Sequence, residues 1–387
     1  MRIVLVSANF APHVGGVERF TEVLAGALGR RGHDVTVCCC RTEAASVHED
    51  RGDFSIHRIR STYVVDRQLN VPYPLPGPVD LVKTLSRATA GADVVHVQDS
   101  LYATSLPALL FARKRGIATV LTQHVSFVPQ ERALLDGAQR LAIATLGRCA
   151  RLATAVATYN GAVAEWVRSR WGIEDVRMLP VGVETGRSER TDRTALRRSF
   201  GLSECAFLAL FVGRDVPKKG LDLFLQSHDA AYELVAVTDR PSSPTASTQL
   251  AFMSPERLQS LMRCVDAFVL PSEAEGFPLS LQEALGSGLP VVTTRQPGYE
   301  DYLGPDDALF VARDARSIRE ALLRLAADDA LCARLSERSR AVAKRHFGVE
   351  RFAAAYEELY GEVVHGLNEG APIGSDSPER RSGSGQQ

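Results

Sequence analysis

The sequence predicts an α/β protein built from two Rossmann-like domains, each a doubly wound parallel sheet, facing one another across a cleft. Three observations carry this. The chain has 387 residues, more than one hydrophobic core usually supports. Short β-branched runs alternate with amphipathic stretches, the pattern of βαβ units. The alternation halts in a polar, charged stretch at 185–198 and then restarts with a strand-length run ending in a glycine.

The first run, at 3–6, is followed by a helical pattern over 17–31 and a second run at 35–40. Within the helix Val17, Phe20, Leu24 and Leu28 recur every three or four residues, which gives one apolar stripe to lay on a sheet, and Gly32 stands where the helix ends. Further strands are predicted at 94–97, 118–122 and 153–158, with a helix over 105–115. Residues 70–78 carry four prolines and predict an extended surface loop beside a substrate pocket. After the break, strands fall at 206–212, 234–238, 267–270, 290–294 and 309–312, with helices over 256–263, 318–327, 330–345 and 349–364. This divides the chain into an N-terminal domain, 1–185, and a C-terminal domain, 186–347. From about Gly366 the composition is glycine, serine, proline and charge, so 366–387 is predicted as a disordered tail.

Composition narrows the function. Lys and Arg total 45 against 46 Asp and Glu, a net charge of -1, so no global field draws in nucleic acid and any anion site must be local. Of the seven cysteines three are consecutive, Cys38 to Cys40, and none forms a Cys-x-x-Cys pair, which speaks against a disulfide framework and against zinc. Reduced, mostly buried thiols are expected. The sequence shows neither a cleavable leader pattern nor an apolar run of membrane length, and a cytoplasmic protein is expected. Arg132, Arg140, Arg148 and Arg151 line a largely helical stretch with apolar neighbours. A solvated helix face is the plainer reading of them, and weak peripheral contact with a membrane is the other.

Chemistry concentrates in a few turns. A strand, a glycine-rich turn and a helix hold anions, because N–H groups at a helix start are unpaired and carry partial positive charge. One such turn runs from Asn9 through Gly15-Gly16 to Glu18. A second, Gly213-Arg214-Asp-Val-Pro-Lys218-Lys219-Gly220, sets three cations beside a strand end and suits a diphosphate. The third stretch runs from Leu270 through Glu275-Gly276-Phe277-Pro278 to Glu283. Pro278 is placed as the first helical residue, which leaves the Leu279 and Ser280 N–H groups for a phosphate and the two glutamates for sugar hydroxyls. A glycosidase pair of carboxylates is the competing reading, but it gives Arg214 and Lys219 no guest. His124 lies past the strand at 118–122, where such sheets present ligand-contacting groups, and His96 and Asp99 are expected past the preceding strand in the same way. No cluster has metal-ligand spacing and no Asp-x-Asp pair is present to carry a metal with a diphosphate.

Taken in order, these motifs resemble family-4 retaining glycosyltransferases of the GT-B fold, from Arg2 to about Val364. The residues that carry the likeness are Gly15-Gly16-Val-Glu18, Thr122-Gln-His124, Pro180-Val-Gly182-Val183, Gly213-Arg214 to Lys219-Gly220, and Glu275-Gly276-Phe277 to Glu283-Ala. The resemblance implies that Arg214 and Lys219 bind the donor diphosphate, Glu283 the nucleotide ribose, Glu275 hydroxyls of the donor sugar, and His124 the sugar near its reacting carbon. It also implies that a final helix, 348–365, crosses back onto the first domain. The candidate catalytic residues are therefore His124, Arg214, Lys219 and Glu275. The candidate donor-binding residues are Gly16, Gly213, Arg214, Lys219, Glu275, Gly276, Phe277, Leu279, Ser280 and Glu283, with no metal and no cofactor.

Two departures from the family pattern stand out. Val181-Gly182-Val183-Glu184 replaces the common Asn-Gly-Val-Asp, and Asp239-Arg-Pro-Ser-Ser-Pro replaces a glycine-rich turn that helps to seat the base. The expected activity is retaining transfer of a sugar from a nucleotide-diphosphate donor, a UDP- or GDP-sugar, to an acceptor hydroxyl of a glycan, a lipid-linked acceptor or a secondary metabolite. A sugar-nucleotide 2-epimerase of the same architecture and a non-catalytic nucleotide-sugar-binding protein are the alternatives.

Overall fold

The computed structural model describes all residues except 14, 43–44, 65–72, 127–132, 184–191, 243–246, 274–276 and 370–387. Its first sheet contains β1 (Arg2–Val6), β2 (Asp34–Cys40), β3 (His48–Asp50) and β4 (Ser55–Ile59). A separate antiparallel pair, β5 (Ser61–Thr62) and β6 (Leu75–Pro76), follows. Then β7 (Val94–Gln98), β8 (Ala118–Thr122), β9 (Ala155–Thr158) and β10 (Val176–Met178) complete the sheet in the order β10-β9-β8-β7-β1-β2-β4-β3. Every pairing is parallel except β3 on β4.

Its central strands are almost continuously apolar because helices cover both faces. Helix α1 (Gly16–Arg30) buries Phe20, Leu24 and Leu28 on one face. On the other, α2 (Pro78–Ala88), α3 (Ser105–Lys114) and, beyond α4 (Ala133–Thr145), α5 (Gly161–Trp171) bury Leu85, Leu109, Val167 and Trp171.

The second sheet has six parallel strands: β11 (Leu208–Val212), β12 (Glu233–Thr238), β13 (Ser247–Ala251), β14 (Ala267–Leu270), β15 (Val291–Thr293) and β16 (Leu309–Phe310), in the order β13-β12-β11-β14-β15-β16. Its helices are α6 (Arg193–Ser199), α7 (Leu221–Gln226), α8 (Pro255–Met262), α9 (Leu279–Gly286), α10 (Ala315–Ala327) and α11 (Asp329–His346). The last helix, α12 (Val349–Glu369), lies on the first domain, where Phe352, Tyr356 and Tyr360 share a core with Phe20 and Leu24. The chain crosses between domains twice and the crossings touch: Val183 pairs with Gly348, and its N–H donates to the Phe347 carbonyl at 2.7 Å. Gly182 lies under the Phe352 ring, and a Cβ there would overlap it.

Three expectations need correction. Residues 70–78 are not simply an extended loop: Leu75–Pro76 pairs with Ser61–Thr62, and Pro78 opens α2, a position where the missing N–H costs nothing. The first part of that segment lies outside the described residues. The tail predicted from 366 begins as helix, since α12 runs on to Glu369. Third, Pro278 is the extended residue before α9 (φ -60°, ψ 139°), not its first helical residue. The expected boundary at 185/186 falls within 184–191, outside the described residues. Among the described residues no helix is long and apolar enough to cross a membrane.

Candidate active site

In each sheet the strand order reverses beside the strand that starts it. β1 lies between β2 and β7, and β11 lies between β12 and β14. Loops leaving the carboxyl ends of such strands diverge and open a crevice. The glycine turn follows β1, Asp99 follows β7, His124 follows β8, the cationic loop follows β11, and the segment leading to α9 follows β14.

The cationic loop is stitched to its neighbour. Pro217–Lys219 forms one 3-10 turn, and Gly220 takes φ +72° in the left-handed region. A Cβ on Gly220 would stand 2.6 Å from the Pro271 carbonyl oxygen, so glycine allows the close approach. The Glu273 N–H donates to the Lys218 carbonyl at 2.7 Å. Arg313 ties both sides, donating to the Pro217 carbonyl at 2.6 Å and lying 3.5 Å from the Glu273 carboxylate. The Lys219 stem passes over Gly213, with its Cδ 3.6 Å from where a Cβ would be. Arg214 is exposed, and its charge reaches the Tyr102 hydroxyl of the first domain. Burial, then Asp99 and Glu18, raise that hydroxyl's pKa, and Arg214 opposes them.

Phe277 precedes α9 and is buried, its ring centroid 5.1 Å from Tyr299, 4.7 Å from Tyr302 and 5.3 Å from Phe347. This cluster fixes where the helix starts. Leu279 and Ser280 are its first residues, whose N–H groups have no acceptor within the helix. One turn on, the Glu283 carboxylate lies 3.7 Å from Arg19 of α1, across the cleft. A small hollow of about 30 Å³ lies there, lined by Arg19, Glu283, Pro255 and Gln259. Glu275 and Gly276 lie outside the described residues.

At the first glycine turn, Glu18 folds back over Gly15 and pairs with His13 at 2.9 Å, so a carboxylate of the chain itself covers that helix start. Nothing lies within 4 Å of a Cβ placed on Gly16.

His124 is buried at 2% exposure. Its backbone N–H donates to the Asp99 carboxylate at 3.0 Å, its carbonyl accepts from the Tyr159 hydroxyl at 3.2 Å, and its Nε2 lies 2.7 Å from Gln98 Oε1. Burial pushes the imidazole pKa down to about 3, so the ring is neutral at physiological pH. Asp99 takes φ +58°, the one positive φ of a non-glycine among the described residues. Burial pushes its carboxyl up to about 7, against the lowering effect of the His124 N–H. His96 lies within β7 rather than beyond it.

Residues 14–187 match the family described as Glycosyltransferase Family 4, and residues 246–342 match Glycosyl transferases group 1. Together the two matches cover more than half of the chain. The chain belongs to the family-4, group 1 glycosyltransferases. A D-inositol 3-phosphate glycosyltransferase of Xylanimonas cellulosilytica is 27% identical over 94% of this chain and 97% of its own. A GDP-mannose-dependent alpha-mannosyltransferase of Mycobacterium tuberculosis is 29% identical over 79% of this chain and 82% of its own. The solved sucrose-phosphate synthase of Thermosynechococcus elongatus superposes with a TM-score of 0.77 at 19% identity, covering 94% of this chain and 99% of that one, and shares its GT-B fold.

Several residues at the cleft escape a reading of the sequence. Arg19 and Arg313 reach the cleft loops from α1 and from the segment after β16, and neither stands in a motif. Asp301, whose carboxylate accepts from the Gly161 N–H at 2.8 Å, and Tyr302, whose hydroxyl donates to the Tyr159 carbonyl, join the domains beside His124. Asp99, by contrast, is legible in the sequence as an acidic residue at the end of a strand-length run.

Proposed function

We propose that this glycosyltransferase transfers a sugar from a nucleotide-diphosphate donor to an acceptor hydroxyl with retention and without a metal. The observation that supports it is the adjacency of two anion-binding devices at one switch point, the Arg214–Lys219 loop after β11 and the start of α9 after β14. Strands β11 and β14 pair directly, and their loops share the Glu273 to Lys218 hydrogen bond. Arg214 and Lys219 hold the donor diphosphate beside the backbone of Gly213 and Gly16, while the Leu279 and Ser280 N–H groups, positioned by Phe277, take a phosphate oxygen. Charge that develops on the departing diphosphate is then met by donors already in place, the form of catalysis that needs no reorganisation. Glu275 and Gly276 precede this helix and hold sugar hydroxyls, and His124 faces the sugar from the first domain. The acceptor attacks from the leaving-group face, and a phosphate oxygen takes its proton.

Glu283 holds the ribose. Its present neighbour is Arg19 at 3.7 Å, so the donor displaces a cross-cleft ion pair as it binds. The pair is partly solvated and weak, and giving it up costs little. The donor is a UDP- or GDP-sugar, and the name of the mycobacterial relative, with its GDP-mannose dependence, gives the second some weight.

The test has two arms. In a thermal-shift panel of UDP-, GDP-, ADP- and TDP-sugars the true donor raises the melting temperature by mass action. With that donor, Arg214→Ala and Lys219→Ala each lower turnover by more than about tenfold, because a charged phosphate contact is worth more than about 1.4 kcal/mol. Turnover at the wild-type rate in either variant refutes the role. Conversion of the donor with no acceptor present would favour the epimerase, and binding without hydrolysis or transfer a regulator.

A further inference from the structure

His124 sits at the end of a buried hydrogen-bonded chain that begins in the C-terminal helix. The Tyr360 hydroxyl of α12 lies 2.7 Å from His96 Nδ1. On the other side of that ring, His96 Nε2 lies 2.8 Å from Thr122 Oγ1 and 3.3 Å from Gln98 Nε2. Thr122 in turn lies 3.0 Å from the Tyr356 hydroxyl, also of α12. Gln98 Oε1 closes the chain on His124 Nε2 at 2.7 Å. All six side chains are buried. His96 and Gln98 share a face of β7 by strand alternation, and Thr122 is the register partner of Gln98 on β8. A polar strip thus ends a face whose deeper part is Ile3, Leu5, Val94 and Val120.

Such a strip must satisfy its donors and acceptors internally, and that fixes the protons. A carboxamide has one acceptor atom and one donor group. The short contact, 2.7 Å, suits N–H···O and the long one, 3.3 Å, suits N–H···N, so Oε1 faces His124 and the NH2 faces His96. His124 then carries its proton on Nε2 and keeps a lone pair on Nδ1. His96 accepts at Nε2 and must carry its proton on Nδ1, which donates to the Tyr360 oxygen. Turning the amide over would reverse both rings at once and place N–H···N at 2.7 Å, too close for that pair. The two imidazoles are therefore coupled through one side chain, and α12 decides the outcome from the far end.

We propose that Gln98 is a positioning residue for the transfer reaction: held by His96, which Tyr360 of the C-terminal helix clamps, it fixes His124 with its proton on Nε2. The proposal rests on the reading of His124 as a sugar-facing residue. It extends that reading by assigning the ring's single orientation to residues that touch no substrate.

Long-range proton–nitrogen NMR on the full chain labelled with 15N-histidine tests it without any ligand, with His124→Asn and His96→Asn used only to assign signals. The expected spectrum shows His124 protonated at Nε2 and His96 at Nδ1. A His124 proton on Nδ1, or averaging between its two nitrogens, would overturn the proposal. Tyr360→Phe keeps the ring in the core and removes only the hydroxyl that accepts from His96. Both histidines are then expected to shift toward mixed tautomers, although His124 does not touch Tyr360. Turnover is expected to fall about fivefold, the equivalent of one net hydrogen bond, with the donor KM within about twofold. Unmoved His124 signals in a folded Tyr360→Phe protein would also overturn it. A wild-type tautomer pattern combined with unchanged turnover in that variant would defeat the positioning role while leaving glycosyl transfer itself standing.

Discussion

Replacing Gly220 by alanine tests whether the cationic loop is held where the reaction needs it. The residue takes φ +72°, and an added Cβ would stand 2.6 Å from the Pro271 oxygen and 3.0 Å from Pro271 Cγ. The left-handed conformation costs a residue with a Cβ about 1–2 kcal/mol. Forcing a methyl against a backbone that cannot yield adds about 1–3 kcal/mol. The sum, roughly 2–5 kcal/mol, corresponds to a fall of at least about 4 °C in the melting temperature of a domain of this size. Any relief must come from moving the loop away from Pro271, which carries Lys218 and Lys219 with it and breaks the Glu273 to Lys218 hydrogen bond. Losing one charge-assisted phosphate contact of about 1.5–3 kcal/mol then weakens the donor by more than about tenfold. Gly16→Ala is the matched control: its Cβ would meet nothing within 4 Å, so stability should stay within about 0.5 kcal/mol while donor binding weakens. Thermal melts of both variants with and without the donor read all four quantities. A Gly220→Ala protein melting within about 1 °C of wild type, with an undiminished donor shift, would refute the reasoning.

Two further outcomes follow from burial. His96 and His124 are held down to about 3, so the stability they confer is present above the ordinary histidine value and lost as pH falls toward 3. Asp99, pushed up to about 7, contributes with the opposite sign, losing stability as pH rises from about 4 to 7. Asp99→Asn, whose new side chain tolerates positive φ, should therefore make stability rise more steeply with pH between about 4.5 and 6.5, by about 1.4 kcal/mol per unit in urea melts, and parallel slopes would contradict this. Of the seven cysteines, Cys205 alone is exposed and should react at once with a thiol reagent. Cys38, pushed up to about 12, and Cys40 and Cys149, each up to about 11, should wait for denaturant. Three or more fast thiols in the native protein would contradict the packing of β2.

What was legible in the sequence was whatever repeats at a fixed period or needs a special backbone. The strands at 118–122 and 267–270 were readable to the residue because both are buried along their whole length and built of small, β-branched and apolar residues with no charge among them. Gly213 and Gly220 marked the cationic loop because few other residues fit there. Strands β3 and β13 were invisible: His-Glu-Asp and Ser-Thr-Gln-Leu-Ala are short, largely polar edge strands, so no apolar period marks them. Helix α2 was hidden by Pro78 and the three prolines before it, since a proline breaks a helix inside but opens one at its start. At the candidate site the strand-end residues could be nominated from position alone. Arg19, Gln98, Tyr302 and Arg313 could not, because the partners that place them at the site, Glu283, His124, Tyr159 and Pro217, lie between 26 and 264 residues away along the chain and only the fold brings them together.

The paired crossings at Val183 and Gly348 act as a single axle. Two separate tethers would leave the domains more freedom to splay than two crossings hydrogen-bonded to each other do. Phe352, seated on Gly182, begins the same helix that carries Tyr356 and Tyr360 to His96, so the pivot and the clamp on the histidine pair are one rigid piece. Among the described residues, the side chains bonded to the two imidazole rings therefore come from the first sheet and from this helix, and none from the half that carries Arg214 and Lys219.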